Sequence, residues 1–430
     1  MTARLAFGGF MSPLHPPGED PTFLFERDLE LVELMDRLGY AECWVGEHHS
    51  GGWALIGTPE VFIAAAAERT RHIRLGTGVT ALPYHHPFMV ASRAVQLDHL
   101  TRGRFIFGGG AGSLVSDMYM FGISPEQTRD RAAQSLETIL ALLDGGEPVT
   151  RDEGWFRLHE ARLQLRPYTR PRMEVATSSA FSPLGMRLAG RLGVSPLSLA
   201  APPFGAARPG HAQGAAALAA QWAHLEESAA EAGRPVDRST WRIVLPVHVA
   251  ETRDEAFDQF APGWIEFRRK YYSATLGVPV ATSDVGARKS LEATVESLGA
   301  IVGSVEDCVA AIEHLWDVTG GFGKLLITLH DCASRENEER SLELFARYVA
   351  PRFNGSLDSI VGSNQWVGEN KLSFQNQHFA ALSKAETSLE GHEKVRARGI
   401  ELGATGAASA AEPAAVPEPE SEPASAPVGG

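Results

Sequence analysis

Residues 44–49 read Trp-Val-Gly-Glu-His-His, an apolar run that ends abruptly on a carboxylate and two imidazoles. Two later apolar runs end in glycines, at residues 76–79 and 108–112. Parallel strands collect their carboxyl ends at one face, and α/β proteins place their chemistry there. The three run ends therefore predict one site, in which glycines let a flat ligand lie against bare backbone and a histidine supplies a proton donor or acceptor.

Eight short apolar runs of this kind alternate with helical patterns along the chain. They span residues 4–10, 42–48, 73–80, 105–112, 173–180, 196–201, 243–250 and 325–331. The alternation predicts an α/β protein with a (β/α)8 TIM barrel. An open doubly wound sheet is the alternative, but no Gly-x-Gly-x-x-Gly turn follows the first run, and eight strands fit closure better than an open sheet.

The connections between the runs carry helix-start signals and two long segments. Thr58 followed by proline predicts a helix to about residue 70, and Ser124 with Gln127 predicts a capping box. Residues 202–214 and 263–302 are too long for simple turns and are predicted insertions after strands 6 and 7. The aromatic residues of the second insertion favour a lid that orders over a ligand.

The sequence divides into three regions. The barrel is predicted to occupy residues 1–355, and residues 356–402 form a polar C-terminal extension whose few apolar anchors predict partial packing on a surface. Residues 403–430 contain only small residues, proline, glutamate, threonine and valine. Such a segment buries too little apolar area to offset its ordering entropy, which predicts a disordered tail.

Composition excludes several classes of protein. The net charge of −14 and the lack of a basic cluster argue against a nucleic-acid partner. No apolar segment reaches 18 residues and the first strand pattern begins almost at once, so neither a membrane span nor a signal peptide is expected. Three isolated cysteines, an odd number, indicate a reduced cytoplasmic protein without disulfides.

The histidine pairs at residues 48–49 and 85–86 raise the question of a metal site. Successive strand residues point to opposite sides, so neither pair chelates as one unit, and no zinc-type spacing accompanies them. No metal is therefore predicted. The sequence favours a pocket-facing His48 that acts as a general acid/base or hydrogen-bond donor. The alternative is that one histidine of each pair only packs between strand and helix.

The glycine-rich ends and two helix starts suggest where a ligand lies. Glycines at 76 and 78 indicate either a bulge at the barrel rim or close approach of a planar cofactor, and the run at 108–112 favours a cavity over a mobile rim. Arg129, in the first turns of one helix, and the hydroxyls of 177–179, which lead into a helix capped by Ser182, predict a phosphate site.

Several of these segments together resemble the bacterial luciferase-like flavin monooxygenases. The order and spacing of residues 44–49, 75–79, 82–87 and 97–104 match that family, and the resemblance runs from about residue 4 to 353. It is strongest to the limonene monooxygenase-like branch, whose pattern is echoed at residues 47–50, 116–123 and 163–168. The chain departs at Gly110 and Ala111, where luciferases have a reactive cysteine and an arginine, which predicts a roomier pocket without light emission.

The resemblance implies a barrel, usually a homodimer, that binds reduced FMN (FMNH2) supplied by a separate NAD(P)H:flavin reductase. Oxygen adds to the flavin, and the C4a-peroxyflavin inserts one oxygen atom into a small apolar or polycyclic substrate of secondary metabolism, terpene-like or aromatic polyketide-like. The reaction would be epoxidation, hydroxylation or Baeyer–Villiger insertion. The alternatives are an F420-dependent oxidoreductase on the same barrel and a non-catalytic flavin-binding protein.

The resemblance also implies roles for individual residues. His48 and Glu47 are the implied catalytic residues, and a non-prolyl cis peptide is implied at Gly78–Val79 under the flavin. The cofactor-binding residues are expected to be Gly78, Val79, Gly110, Arg129, Ser178, Ser179 and Ser182. The substrate pocket is expected to include Met11, Trp53, Tyr84 and Tyr119.

Overall fold

The centre of the molecule is a closed barrel of eight parallel strands. The structure, a computed structural model, describes residues 4–12, 14–180, 183–200, 214–278, 286–387 and 393–399. Each strand pairs with the next and the last returns to the first, so the predicted TIM barrel is confirmed. The strands are β1 (Ala6–Met11), β2 (Glu42–Val45), β3 (Arg74–Thr77), β4 (Phe105–Gly110), β5 (Glu174–Ser179), β6 (Ser195–Leu199), β7 (Arg242–Leu245) and β8 (Lys324–Thr328).

Two predicted strands are shorter than their apolar runs. The run at 73–80 breaks after β3, and its last part, Thr80–Ala81, pairs with the end of β4. The run at 243–250 breaks at Pro246, which has no N–H to donate to a ladder. Its second part, Val247–Val249, leaves the barrel and pairs with Ile301–Gly303 in a separate parallel ladder.

Helices follow the strands and surround the barrel. They are α1 (Pro21–Leu38), α2 (Pro59–Arg69), α3 (Pro87–Leu100), α4 (Val115–Met120), α5 (Thr128–Asp144), α6 (Leu184–Leu192), α7 (Gly214–Glu231), α8 (Arg253–Phe267), α9 (Ala287–Glu296), α10 (Val305–Thr319), α11 (Arg335–Leu344), α12 (Pro351–Asn354) and α13 (Asp358–Thr387). A hairpin of Val149–Asp152 and Arg157–Ala161 lies between α5 and β5.

The helix-start predictions have mixed outcomes. The helix expected after Thr58 does begin at Pro59 and ends at Arg69. The capping box at Ser124 is wrong, because the Ser124 side chain makes no cap hydrogen bond and Pro125–Gln127 forms a 3-10 turn instead. The side-chain oxygen Oε1 of Gln127 accepts a hydrogen bond from Arg131 instead.

Alternation along the strands produces two apolar layers. One layer fills the barrel interior and the other packs against the helices; the interior set is Phe10, Trp44, Ile106, Ala176, Leu197, Val244 and Leu326. Gly76 and Gly108 both face the Trp44 ring, and a Cβ atom on either would lie 2.8 Å from it. Gly76 is therefore explained by the packing of Trp44 rather than by a ligand.

The amino ends of the strands are closed by a buried network of ion pairs. Arg242 is fully buried and contacts Glu42 at 2.7 Å and Glu174 at 2.8 Å. Arg74 contacts Glu174 at 2.7 Å. Burial alone would raise the pKa of Glu174, but Arg242 and Arg74, with Lys324, hold it at about 2. Each of these residues is the first of its strand, so the network seals one end of the barrel and leaves the other for chemistry.

The described part of the predicted insertion at 263–302, residues 263–278 and 286–302, is largely helical. Helix α8 continues as π-helical turns over Arg268–Thr275, and α9 follows at Ala287–Glu296. Its aromatic side chains pack in one apolar cluster with residues of the loops after β1, β2 and β8, among them Leu14, Trp53 and Cys332. The segment therefore covers the carboxyl ends of those strands, and its action as a lid stays a prediction. The insertion at 202–214 lies outside the described residues except Gly214, where α7 begins.

The chain divides into two compact units, Met1–Ser356 and Leu357–Gly430. In the first, the Leu5 N–H donates to the carbonyl of Phe353, close to the predicted end of the barrel. In the second, α13 is a 30-residue helix. The three predicted regions stay predictions, and the tail at 403–430 lies outside the described residues. Among the described helices, none has the length and apolar character that a bilayer crossing requires.

Candidate active site

Glu47 follows β2 and is buried at the carboxyl end of the barrel. One carboxylate oxygen contacts His85 Nε2 at 2.7 Å and His49 Nε2 at 2.9 Å, and the other accepts from the Ala81 N–H at 2.9 Å. Burial favours the protonated form, but these three partners outweigh it and lower the pKa of the Glu47 carboxyl. The Glu47 carboxylate is thus ionised, and it holds two histidines and the segment after β3 by hydrogen bonds.

His48 faces a different carboxylate. Its Nδ1 lies 3.6 Å from Oδ2 of Asp117 on α4, a charge contact that is longer than a hydrogen bond. Asp117 is buried and also accepts hydrogen bonds from the Ser50 hydroxyl and from the His49 N–H. Burial would raise the pKa of Asp117, but His48 and these donors lower it, so the carboxylate is ionised beside the imidazole.

The ends of β3, β4 and β5 meet at one point. The Gly78–Val79 peptide bond is cis, as the resemblance implied. A Cβ atom on Gly110 would lie only 2.6 Å from both Ser178 Oγ and Val79 Cγ2. Gly110 therefore leaves a strip of bare backbone against which the Ser178 and Val79 side chains pack closely, and this brings three of the predicted cofactor-binding residues together.

A cavity of about 430 Å³ lies beside this strip. It is lined by residues from the ends of β4 and β5 and from α5 and α6, including Gly110, Arg129, Ser178, Ser179, Arg187 and Arg191. Arg187 pairs with Glu227 and Arg191 with Glu137. No described carboxylate pairs with Arg129, which is exposed, although Asp130 and Glu231 also line the cavity. Ser182, predicted to belong to this group, lies outside the described residues.

Aromatic rings cover the histidines. Tyr84 stacks on Phe121 with ring centroids 4.6 Å apart, and His49 meets Phe121 edge-on at 5.0 Å. Among the described residues the buried Tyr84 hydroxyl has no hydrogen-bond partner, and a Cβ on Gly112 would lie 2.6 Å from it. Tyr119, also predicted to line the substrate pocket, is 85% exposed on α4. Tyr84 therefore belongs to the site, whereas the Tyr119 ring points to solvent.

The other two predicted pocket residues, Trp53 and Met11, also differ in where their side chains lie. Trp53 is buried, and its ring centroid lies 5.4 Å from that of Tyr271. The π-helical turns that continue α8 therefore contact Trp53 directly. Met11 is fully buried in the layer between strands and helices and has no exposed surface at the mouth. Its place at the end of β1 suggested a pocket position, but alternation along the strand directs its side chain outward.

Asp117 is the site residue that sequence reasoning missed. It lies on a short helix after β4, far along the chain from His48, and a single aspartate there has no spacing signal. The two histidine pairs are also now explained, since His49 and His85 contact Glu47 and His86 accepts from the Phe88 N–H at the start of α3. Within the described ranges no group of three or more side chains has the arrangement of a metal site.

Comparisons with known proteins agree with this geometry. The family model of luciferase-like monooxygenases matches residues 6–320. The chain is 57% identical over 366 residues to 4-hydroxyprotoasukamycin monooxygenase of Streptomyces nodosus subsp. asukaensis, covering 85% of this chain and 97% of that one. It is 41% identical over 396 residues to limonene 1,2-monooxygenase of Rhodococcus erythropolis, covering 91% and 98%.

A solved structure supports the same assignment. The oxygenating constituent of 3,6-diketocamphane monooxygenase from Pseudomonas putida, a type II Baeyer–Villiger monooxygenase in complex with FMN, superposes with a TM-score of 0.66. It is 26% identical, and the match covers 81% of this chain and 99% of that one. With the closed barrel, the buried Glu47 and the cis peptide in place, this chain belongs to the luciferase-like monooxygenase family.

Proposed function

We propose that the protein is a monooxygenase that uses FMNH2 and O2 to insert one oxygen atom into a small apolar substrate. The observation that carries this proposal is the meeting of Val79, Gly110 and Ser178 around bare backbone beside the cavity that Arg129 lines. Epoxidation, hydroxylation and Baeyer–Villiger insertion all need the same arrangement, in which a flat redox cofactor and an apolar molecule share a covered space.

The described residues fit FMN. Hydroxyls of Ser178 and Ser179 and the guanidinium of Arg129, which pairs with no described carboxylate, suit a phosphate group, because both kinds of donor bind phosphate oxygens. Gly110, Ala111 and Gly112 line the same cavity, so a ring system there would meet small residues rather than bulky side chains. Reduced FMN, when bound, supplies the electrons that activate O2. The FMN complex of the similar Pseudomonas putida protein supports the choice of cofactor.

His48 is the proposed catalytic residue. The ionised Asp117 beside Nδ1 favours a proton on that nitrogen, which leaves Nε2 free to exchange a hydrogen bond or a proton with the reacting oxygen. Asp117 would act through His48 and is therefore a positioning residue. Such a base or acid typically contributes about 10²–10⁴-fold to the rate.

Glu47 has a different part in the proposal. Its oxygens already accept from His49, His85 and Ala81, so the carboxylate is not free to move a proton. We infer that Glu47 holds the segment after β3 in register with the histidines. This differs from the catalytic role that the family resemblance implied.

The covering aromatic residues would keep water out of the site. Trp53 and Tyr271 pack in one apolar cluster and Tyr84 stacks on Phe121, so large apolar rings surround the carboxyl ends of these strands. Exclusion of water prevents side reactions of reactive intermediates. The names of the relatives, a protoasukamycin and a limonene monooxygenase, support an apolar substrate for this chain.

The proposal includes two partners. A separate NAD(P)H:flavin reductase would supply FMNH2, which agrees with the description of the Pseudomonas putida protein as an oxygenating constituent. A second copy of the chain is the other partner, with α2 and α3 as its contact surface. Apolar side chains on these helices are exposed, among them Val61 at 69%, Met89 at 51% and Leu100 at 52%. Sedimentation that finds only monomer would contradict the dimer.

The test uses the full chain with a flavin reductase and a panel of apolar alkenes and ketones. Wild type is expected to consume O2 with FMNH2, but not with reduced F420, and to form oxygenated product. His48→Ala should still bind FMN while most of the O2 consumed appears as hydrogen peroxide. His72→Ala, a change of an exposed histidine whose ring has no described role, is the control. Failure of wild type to bind FMN in either redox state would end the proposal, and unchanged product formation by His48→Ala would remove His48 from it.

A further inference from the structure

His15 is buried between two carboxylates that come from different parts of the chain. It follows β1 and is 4% exposed. Its Nδ1 lies 2.6 Å from Oδ2 of Asp331, in the loop after β8, and its Nε2 lies 3.1 Å from Oδ2 of Asp28 on α1. A neutral imidazole has one N–H and an imidazolium has two, whereas ionised carboxylates only accept. The arrangement therefore suits a proton on each ring nitrogen.

The charges around His15 balance only while this extra proton is present. Arg27 on α1 contacts Asp331 and lies 3.7 Å from Glu338 on α11. Burial, with the charge of Asp331, raises the pKa of Glu338 to about 8, so this carboxyl is mostly uncharged at neutral pH. Two cations, His15 and Arg27, then face two carboxylates, Asp28 and Asp331. Removal of the His15 proton leaves one cation for two buried carboxylates, which is unfavourable.

The other titratable groups packed near these charges are neutral at pH 7. Burial lowers the pKa of His330 to about 4, and it raises the pKa of the Cys43 and Cys332 thiols. His15 and Glu338 are therefore the groups here that titrate in mildly alkaline solution.

The loops that hold His15 also support α8 and its π-helical turns, which together form the covering segment of the barrel mouth. The His15 N–H donates to the Trp53 carbonyl at 3.0 Å, which ties the loops after β1 and β2 together. Asp331 is followed by Cys332, whose carbonyl oxygen would lie only 2.1 Å from a Cβ atom on Gly263 of α8. The helix backbone therefore packs directly on the loop that carries Asp331.

An apolar cluster completes this connection. It contains Trp53 and Cys332 together with Phe267 and Tyr271 of the covering segment. The Phe267 ring centroid also lies 5.0 Å from that of His330, the residue before Asp331. A shift of these loops would therefore displace the surface on which the covering segment packs.

We propose that His15, protonated between Asp28 and Asp331, is a clasp that holds the covering segment closed, and that the segment opens when the proton leaves. The inference goes beyond the proposed function, because it concerns access to the barrel and depends on neither cofactor nor substrate. The charges explain the opening. Without the proton, one ring nitrogen presents a lone pair to a carboxylate, and the two carboxylates repel each other across the ring.

The clasp is expected to be closed at neutral pH. Burial alone would lower the pKa of His15, but its two carboxylate partners raise it to about 9. Burial also raises the pKa of Asp28, so the contact between the two residues holds its proton from either side. The proton therefore favours the closed form fully below about pH 6.5, and this preference is lost as the pH rises through 9. Loss of one charge-assisted hydrogen bond should raise the open fraction roughly 10- to 100-fold.

The experiment measures how fast the buried Cys332 thiol of the full chain reacts with N-ethylmaleimide, followed by mass spectrometry. Cys308, which is buried on α10 in the main core, is the internal reference, because both thiols react only after exposure. In wild type the ratio of Cys332 to Cys308 labelling should rise about 10- to 100-fold between pH 7 and pH 9.5. In His15→Gln the ratio should be high already at pH 7 and change little with pH, since glutamine does not titrate.

Two further variants serve as controls. His72→Gln, a change of an exposed histidine, should behave as wild type. Glu338→Gln removes the other titrating group and should keep the pH response.

A merely structural role for His15 predicts different results. General loosening of the fold would speed the labelling of both thiols by the same factor, so a wild-type ratio in His15→Gln at pH 7 would overturn the proposal. A full pH response in His15→Gln, or its disappearance in Glu338→Gln, would also overturn it. If His15→Gln does not fold, wild type alone decides, because a ratio that stays constant between pH 7 and pH 9.5 contradicts a clasp that responds to the proton. These outcomes leave the proposed function untouched, since the experiment uses no flavin.

Discussion

His48 Nδ1 and Asp117 Oδ2 lie 3.6 Å apart, and they join the segment after β2 to the helix after β4. We expect Asp117→Asn to lower the rate of product formation by about 10- to 100-fold, because a neutral amide holds the His48 ring less firmly than the carboxylate does. FMN affinity should be unchanged. The measurement is product formed per O2 consumed, with His48→Ala as the reference for complete loss of the imidazole.

Asp144→Asn is the matched control for that change, because Asp144 is an exposed partner of Arg172 at the far end of α5. Equal coupling of O2 to product in Asp117→Asn and wild type would show that the His48 contact has no part in catalysis.

Gly110 is expected to tolerate no side chain when FMN binds. The added Cβ of Gly110→Ala would lie 2.6 Å from Ser178 Oγ and Val79 Cγ2, so these side chains must shift at the edge of the cavity. We predict FMN binding at least about 10-fold weaker and a loss of about 1–3 kcal/mol in unfolding free energy, as for other overpacked sites. Fluorescence titration and denaturant unfolding measure the two. Gly146→Ala, whose Cβ meets nothing within 4 Å, should change neither.

Arg129 is expected to recognise the phosphate and not the flavin ring. Arg129→Met should weaken FMN binding by roughly 10- to 100-fold, the range of a charge-assisted hydrogen bond, and leave riboflavin binding unchanged. Arg131→Met changes a neighbouring arginine that contacts Gln127 and is the control. A parallel loss of riboflavin affinity in Arg129→Met would contradict the assignment, because riboflavin carries no phosphate.

His15 gives a prediction for stability against pH. It is buried, with Nδ1 2.6 Å from Asp331 and Nε2 3.1 Å from Asp28. Burial alone would lower the pKa of His15, but the two carboxylates raise it to about 9. The proton therefore stabilises the folded state fully below about pH 6.5, and this stability is lost as pH rises through 9.

Denaturant unfolding at pH 6.5 and pH 9 measures that loss, which we expect to reach at most about 3 kcal/mol. The pKa of nearby Glu338 is raised to about 8, chiefly by burial, so its ionisation weakens the fold over part of the same range. His15→Gln separates the two groups, because only the Glu338 contribution should remain. An identical pH slope in His15→Gln and wild type would count against His15.

Local patterns in the sequence were sufficient to predict the barrel. All eight strands were expected where they occur, because each is a run of apolar residues between turn signals. The seventh strand breaks at Pro246, although the apolar residues on both sides of the proline predict one continuous strand. The capping box at Ser124 does not form although the sequence has its pattern, because Pro125–Gln127 makes a 3-10 turn there instead.

The site could be predicted only in part, because its contacts join distant parts of the chain. Glu47 and His48 follow the end of β2, and Gly110 and Ser178 lie at the ends of β4 and β5, where the sequence pattern draws attention to them. Asp117 and Arg268 carry no such signal, as each is one charged residue among helical neighbours. Their surroundings appear only in the fold, which brings Asp117 to an imidazole and Arg268 to the ring of Trp264.

The ring of ion pairs at the strand starts restricts how this chain can change. Arg242 contacts Glu42 and Glu174 together, so replacing Arg242 would leave the buried Glu42 carboxylate without its closest counter-ion. A change of Arg242 therefore calls for a matched change of Glu42. Directed evolution for new substrates should keep these residues constant and vary the opposite end of the barrel, where Trp53 and Tyr84 lie outside this network.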